Sequence, residues 1–246
     1  MKAHGTVRSR IFTRNPGAKE SRKRSRICSS VSFCLLALGA LTNLLAQPQP
    51  GTVLWSFTND VSSVTLGPDG TVYLAGDSGL YALTNGGGIK WTVPIHVNCV
   101  LPAVGSDGTI YVGDCYGNFY ALRSDGSTNW FVPQQSGYPA SPAIGFDNTV
   151  YFVAGGYLTA LSSSGTKKWA YQIAESYTQL SPTIGPDGTI YTGGSWLSAF
   201  YPDGTIKWSV GLENPSGETA ALGRDRTIYV TGGDLYAFRP DGSKIW

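Results

Sequence analysis

From residue 62 onward the chain is written in short runs of β-branched, aromatic and aliphatic residues, each broken by Gly, Asp, Asn or Ser. Such punctuation predicts short strands joined by tight turns, and no stretch sustains the helical period. The pattern also repeats. Leu66-Gly-Pro-Asp-Gly-Thr-Val-Tyr73 returns as Val104–Tyr111, Ile144–Tyr151, Ile184–Tyr191 and Leu222–Tyr229. An alanine follows each copy (Ala82, Ala121, Ala160, Ala199, Ala237), and nine residues after each alanine comes a tryptophan: Trp91, Trp130, Trp169, Trp208 and Trp246. Successive tryptophans are 39, 39, 39 and 38 residues apart, and Trp55 stands 36 before Trp91.

Each repeat reads as four strands, here called A to D. Strand A ends at the Gly before the Asp-Gly pair, B is the Thr-Ile-Tyr-Val-like run, C ends in Tyr-Ala-Leu or Ala-Phe, and D carries the tryptophan. Asp-Gly between such runs predicts hairpins with two-residue primed turns. Pro102, Pro142 and Pro182 stand at the entry to strand A, where a missing N–H costs least. Tandem four-strand units of this length predict an all-β protein, a β-propeller of four-stranded antiparallel blades. The blades fall at about 62–95, 101–133, 141–173, 181–211 and 219–246. Residues 51–57 read as one extra N-terminal strand D, preceded by a linker from 47. That count is expected of a piece of a propeller of six or more blades; the alternative is an open arc.

Composition places the chain among folded proteins. Gly (32) and Pro (14) together make about 19% of its 246 residues, and 12% are aromatic; low-complexity disorder becomes the default only near 25–30% Gly plus Pro. The net charge of +2 conceals an asymmetry: residues 1–46 carry +8 and residues 47–246 carry −6. An acidic body argues against nucleic acid as a partner. Residues 1–46 join a basic run, Arg8–Arg26, to an apolar stretch densest over Phe33–Leu41, then Ala46 and Gln-Pro-Gln-Pro. This is the layout of a secretory signal peptide cut after Ala46. A spanning anchor needs about 20 apolar residues, and Ser29, Ser30, Ser32 and Asn43 interrupt this one. The expected location is secreted, periplasmic or cell-surface in a bacterium, with no stable membrane span after cleavage.

The run Ala121-Leu-Arg-Ser-Asp-Gly-Ser-Thr-Asn-Trp130 and its four relatives resemble the tryptophan-docking motif of the pyrroloquinoline quinone (PQQ) repeat family. This family holds quinoprotein dehydrogenases and a non-enzymatic propeller lipoprotein of outer-membrane assembly, and the resemblance is to the latter branch. It spans residues 51–246 and implies that Trp55, Trp91, Trp130, Trp169, Trp208 and Trp246 pack between blades. NHL-type propellers share the Asp-Gly-x-Ile-Tyr stretch but not the period-locked tryptophan. Family enzymes hold calcium with Glu, Asn and Asp ligands on long inserted loops. The repeats here are nearly minimal, so neither PQQ nor calcium is expected, and no catalytic residue carries over.

Other chemistry is sparse. After residue 46 there is one histidine, His96, and two cysteines, Cys99 and Cys115, without zinc-site spacing. A two-residue turn at Asp107-Gly108 pairs Ser106 with Thr109 and sets Cys99 opposite residue 116, one step from Cys115. An oxidising compartment then favours a Cys99–Cys115 disulfide; the alternative is two thiols. Recognition is expected on the edge bearing the B–C turns and D–A loops, which vary between repeats. The D–A loops supply His96, Asn98, Gln134, Gln135, Tyr138, Glu175, Tyr177, Glu213 and Glu218. The B–C turns supply Asp77, Asp114, Tyr116, Tyr157, Trp196 and Asp234. Of these, Trp196, Tyr157, Tyr116, Asp234, Glu175 and His96 are the candidate ligand-binding residues. Trp196, the tryptophan off the period, either stacks on a sugar or anchors a peptide, or it fills space above a glycine turn. The expected role is a non-catalytic binding or scaffolding module for a protein or glycan. The alternatives are a carbohydrate-active or lectin-like propeller and, behind it, a PQQ-dependent dehydrogenase.

Overall fold

Five antiparallel sheets, each a simple up-and-down meander, follow one another along the chain in the computed structural model, which describes residues 52–97, 100–133, 137, 139–173, 180–194, 196–212 and 219–246. Blade 1 is Val61–Leu66 (β1), Val72–Gly76 (β2), Gly79–Leu83 (β3) and Ile89–Val93 (β4). Blade 2 is Ala103–Val104 (β5), Ile110–Gly113 (β6), Phe119–Leu122 (β7) and Thr128–Val132 (β8). Blade 3 is Ala143–Ile144 (β9), Val150–Ala154 (β10), Tyr157–Leu161 (β11) and Lys167–Gln172 (β12). Blade 4 is Thr183–Ile184 (β13), Ile190–Thr192 (β14), Trp196–Phe200 (β15) and Ile206–Gly211 (β16). Blade 5 has Ala221–Leu222 (β17), Ile228–Gly232 (β18) and Asp234–Phe238 (β19). Its fourth strand is begun by a Phe238–Lys244 bridge and by the Ile245 N–H donating to the Ala237 carbonyl at 2.7 Å.

The first strands of neighbouring blades lie side by side, β1 next to β5 and β9 next to β13, so they form the inner rim. Hydroxyls stitch that rim together. Ser63 donates to the Val100 carbonyl (2.9 Å), Thr65 to Pro102 (2.8 Å) and Thr183 to Ala220 (2.6 Å). The core lies between sheets, because a strand buried on both faces needs an apolar neighbour on each. Tyr73, Leu80 and Ala82 of blade 1 pack on Ile110, Val112 and Leu122 of blade 2, with Val97 and Val100 from the connection. Between blades 2 and 3 the rings of Phe119 and Phe152 stack at 4.2 Å, 9° from parallel.

The tryptophans hold the outer rim. Trp91, Trp130, Trp169, Trp208 and Trp246 each lie beside the tyrosine of their own repeat; Tyr111 and Trp130, for example, have ring centroids 5.8 Å apart. Five indole N–H groups, from Trp55 to Trp208, donate to a carbonyl in the C–D turn of the blade that follows. The pairs are Trp55 to Asn85 (2.8 Å), Trp91 to Ser124 (2.8 Å), Trp130 to Ser163 (2.7 Å), Trp169 to Pro202 (2.9 Å) and Trp208 to Pro240 (2.8 Å). A glycine of that turn lies flat against the indole face. A Cβ on Gly126, Gly165, Gly204 or Gly242 would fall within 2.8 Å of a ring carbon. Trp246 is 54% exposed and Tyr229 half-buried; among the described residues no further blade covers them.

One expectation needs correction here. The Asp-Gly turns are not two-residue primed turns. In the first hairpin Gly70 N–H donates to the Gly67 carbonyl (3.0 Å) and Gly67 N–H to the Thr71 carbonyl (2.8 Å), and only Gly70 has positive φ (+78°). This is a type I turn followed by a left-handed residue, the three-residue hairpin. The aspartate selects it: Asp69 Oδ1 accepts the Thr71 N–H (3.0 Å) and Oδ2 the Thr71 hydroxyl (2.7 Å). In blade 2 the pairs are therefore Ala103–Tyr111 and Val104–Ile110, one residue away from the expected register. The segment 51–57 is expected as a lone strand D, without neighbours in this sequence. Residues 52–59 adopt no ladder, because no described strand lies beside them.

Candidate functional site

The two edges of the blades differ in chemistry. On the A–B and C–D edge the turns repeat one device. In three blades a strand-D lysine completes it: Lys90, Lys168 and Lys207 reach Asp69, Asp147 and Asp187 at 3.4, 3.1 and 3.2 Å. Hydrogen bonds from Thr71, then the lysine, draw the Asp69 carboxyl down to about 2. Partial burial opposes the same shift at Asp147, but the hydrogen bonds from Thr149 and Lys168 outweigh it, and its pKa is also about 2. These pairs are solvent-exposed and set turn geometry; they are worth little to stability as charge pairs.

The B–C edge varies instead. In blade 1 the turn is Asp77-Ser78, in blade 3 Gly155-Gly156, and in blade 2 it widens to Asp114–Asn118. Asp114, expected as a surface contributor, is buried and organises that wider turn. Its carboxylate accepts the N–H groups of Tyr116 (2.9 Å) and Asn118 (2.8 Å), the Asn118 amide (2.8 Å) and the Tyr120 hydroxyl (3.0 Å). Burial, then the bond to Asp114, pushes the Tyr120 phenol up to about 12. The turn so held presents Tyr116, 70% exposed, with His96 edge-on to its ring at 5.5 Å. Cys115 stands beside them, half-buried, its N–H donating to the His96 carbonyl at 2.9 Å.

The structure brings His96 and Tyr116 together and places the other aromatics on the same edge of successive blades. Tyr157 opens β11 and is 44% exposed; Trp196 opens β15 and is 55% exposed. The indole of Trp196 lies over Gly211, the residue paired with it across the sheet, where even an added Cβ would meet the ring at an ordinary contact distance of 3.5 Å. Asp234 opens β19 and is exposed. Glu175, Cys99, Asn98, Gln134, Gln135, Tyr138, Tyr177, Glu213 and Glu218 lie outside the described residues, as does the segment 1–51. A polar cleft of about 350 Å³ adjoins the edge at blade 1, lined by Asn59, Asp60, Val61, Ser62 and Asp77.

Three features escaped sequence reasoning. Phe146 is 79% exposed in the A–B turn of blade 3, above a cleft of about 200 Å³ that includes Tyr151, Ile184 and Pro202. Its signal was legible, since the other repeats carry Pro68, Ser106, Pro186 or Arg224 there. Leu235, next to Asp234, is 53% exposed. Thr192 is fully buried with its hydroxyl unpartnered among the described residues, where Leu74, Val112, Phe152 and Val230 stand in other blades. Among the described residues no three His, Cys, Asp or Glu side chains gather as a metal site would require.

A family model described as outer membrane protein assembly factor BamB matches residues 44–182. No curated protein matches the chain. BamB from Moraxella catarrhalis is similar over 78% of this chain at 20% identity, with a TM-score of 0.65. This chain spans 66% of that protein's length. Virginiamycin B lyase from Staphylococcus aureus aligns over 75% of this chain and 68% of its own at 14% identity, TM-score 0.64. A catalytically inactive variant of that lyase with quinupristin aligns over 77% and 71% at 18% identity, TM-score 0.64. These likenesses establish the fold, a β-propeller.

Proposed function

The chain belongs to the BamB family of PQQ-repeat propellers, and from that premise we propose that it is an exported, non-catalytic module that binds a protein partner through its B–C edge. One observation carries the proposal. Tyr116, Tyr157 and Trp196 are exposed on that edge at positions where the repeat itself asks for no aromatic. Aromatics on a rigid scaffold present large contact area at small entropic cost and are the residues most enriched at interface hot spots. The family description, an assembly factor for outer membrane proteins, supports protein as the partner class and the periplasmic side of an outer membrane as the location. The basic and apolar segment 1–46 supports export.

A photo-crosslinking residue at Trp196 or Tyr116, in the protein expressed with its leader in a bacterial envelope, should capture a discrete protein partner. The same probe at Phe146, on the other edge, should not. Trp196-dependent binding to a glycan without any protein adduct would replace this reading with the lectin-like one. Equal capture at all three positions would remove it.

The same edge is proposed to carry the Cys99–Cys115 disulfide. The bond between the Cys115 N–H and the His96 carbonyl puts the chain three residues before position 99 against Cys115. The three-residue turn supports the pairing as well: counting on from Val104–Ile110, position 99 would meet 115 without the one-step offset. Closing a loop of about 15 residues would contribute roughly 3 kcal/mol in the chain-entropy model. Reduction of the exported protein should add two hydrogens to its mass and lower its melting temperature; an unchanged mass would show two thiols.

A further inference from the structure

The formal charges after residue 46 are sorted by edge. All nine Lys and Arg fall in A–B turns, in C–D turns or in the first two residues of strands D. Eight aspartates accompany them, so that edge stands near neutrality, at +1. Lys90, Lys168 and Lys207 are there paired with Asp69, Asp147 and Asp187. In the sequence the B–C and D–A connections hold no Lys or Arg. That edge carries four aspartates, Asp60, Asp77, Asp114 and Asp234, and the sequence adds three glutamates in D–A connections, all three outside the described residues, for a formal −7. The whole acidic excess of residues 47–246 thus belongs to the edge on which Tyr116, Tyr157 and Trp196 are exposed.

One position concentrates both features. The first residue of strand C, which stands at that edge, is Tyr157 in blade 3 (β11), Trp196 in blade 4 (β15) and Asp234 in blade 5 (β19). Ring, ring and carboxylate therefore occupy equivalent places in three successive sheets, and all three residues are exposed. Leu235, beside Asp234, adds an exposed apolar side chain. Facing sheets lie about 10 Å apart, a gap that one long cationic side chain spans, lying on an indole at one wall and reaching a carboxylate at the other. Arginine suits it better than lysine. Its guanidinium is planar, weakly hydrated and forked, so it stacks on a ring and still donates to a carboxylate, whereas a lysine ammonium is a compact, strongly hydrated point charge.

We propose that the B–C edge binds an arginine-bearing segment of another protein, with one guanidinium seated between Trp196 and Asp234 of neighbouring blades. The seat rests on the B–C edge being the binding edge and names the chemistry of what binds there. The field of an edge that holds no Lys or Arg speeds encounter with such a segment and turns acidic ones away.

The test titrates the exported protein with fluorescein-labelled peptides of equal length that alternate serine with arginine, lysine or glutamate, read by anisotropy at low salt. The arginine peptide should bind at least about tenfold tighter than the glutamate peptide, and tighter than the lysine peptide. Trp196→Ala should weaken it about two- to thirtyfold, the span from an exposed to a desolvated cation–π contact. Asp234→Asn should weaken it and flatten its salt dependence, and Phe146→Ala, on the other edge, should leave it unchanged. Equal affinity for the three peptides, no binding of any, or an arginine affinity indifferent to Trp196→Ala would overturn the proposal. Crosslinking at Trp196 separates it from the reading it rests on. A joined peptide from a second protein that holds arginine supports both. A joined peptide without arginine, or one from residues 8–26 of this chain, overturns the arginine seat alone. Capture of no protein removes the binding edge, and the titration then decides the seat by itself.

Discussion

Replacing Gly165 with alanine tests the outer-rim clasp directly. Gly165 has φ of +82°, and an added Cβ would lie 2.7 Å from a ring carbon of Trp130. The left-handed conformation costs alanine about 1–2 kcal/mol. The contact is not with a flexible side-chain tip, so the indole must give way. Overpacking of this kind costs about 1–3 kcal/mol, and weakening the bond to Ser163 adds about 0.5–1.5 kcal/mol. The expected loss is about 2.5–6.5 kcal/mol, or roughly 5–26 °C in Tm for a chain of this size. Gly70→Ala is the control, because its φ is +78° but nothing lies within 4 Å of the new Cβ; it should cost only the conformational part. Gly165→Asn separates the two causes further, since asparagine tolerates the left-handed region yet still carries the Cβ. Urea unfolding followed by tryptophan emission and by circular dichroism measures all three. The reasoning fails if Gly165→Ala is no worse than Gly70→Ala, or if Gly165→Asn is as stable as the parent. The repeats have already run a version of this comparison. Asn148 (φ +60°) and Arg226 (φ +68°) replace glycine at the open A–B position, whereas Gly87, Gly126, Gly165, Gly204 and Gly242 fill the C–D position in every blade.

Phe152→Ala, which removes a fully buried ring stacked on Phe119, should cost about 3–5 kcal/mol in the same unfolding assay. Thr149→Val removes the hydroxyl that helps hold Asp147 at about 2, against an ordinary 3.8. A depressed carboxylate contributes stability above its unfolded pKa and loses it as pH falls through the folded value. The variant should therefore be less stable than the parent near neutrality, and the gap should narrow as pH falls from about 4 to 2, read from urea midpoints at both ends. Trp196→Ala, exposed and outside the clasp series, should change stability by no more than about 0.5 kcal/mol while abolishing partner capture in the crosslinking assay.

The blade architecture was legible because its signals are periodic and local. Each Asp-Gly marks a turn, each tryptophan recurs at a fixed step, and the Tyr-Ala-Trp spacing anticipates side chains that meet across neighbouring strands. The turn type was not legible from Asp-Gly alone. The choice between a two- and a three-residue loop depends on the aspartate capping Thr71, Thr109 or Thr149 two residues on, and so on side-chain bonds rather than on the dipeptide. Asp114 was misplaced for a similar reason: a carboxylate in a turn reads as surface, and only the convergence of Tyr116, Asn118 and Tyr120 reveals it as a buried acceptor. Exposure of Tyr116, Tyr157 and Trp196 could be anticipated because they break the period. Phe146 broke it too and was passed over, because the A–B edge looked uniform.

The tryptophan clasp gives the two edges of each blade separate histories. The B–C connections vary from two residues in blade 1 (Asp77-Ser78) to five in blade 2 (Asp114–Asn118) and a single one, Gly233, in blade 5. Across the same series the indole-to-carbonyl distance stays between 2.7 and 2.9 Å. What aligns a blade with its neighbour is thus fixed at one end of the strands, and what distinguishes one blade from another is written at the opposite end. A turn on the B–C edge can be lengthened, shortened or recoded without altering how the blades stack. New specificities are reachable here by changes that leave folding untouched.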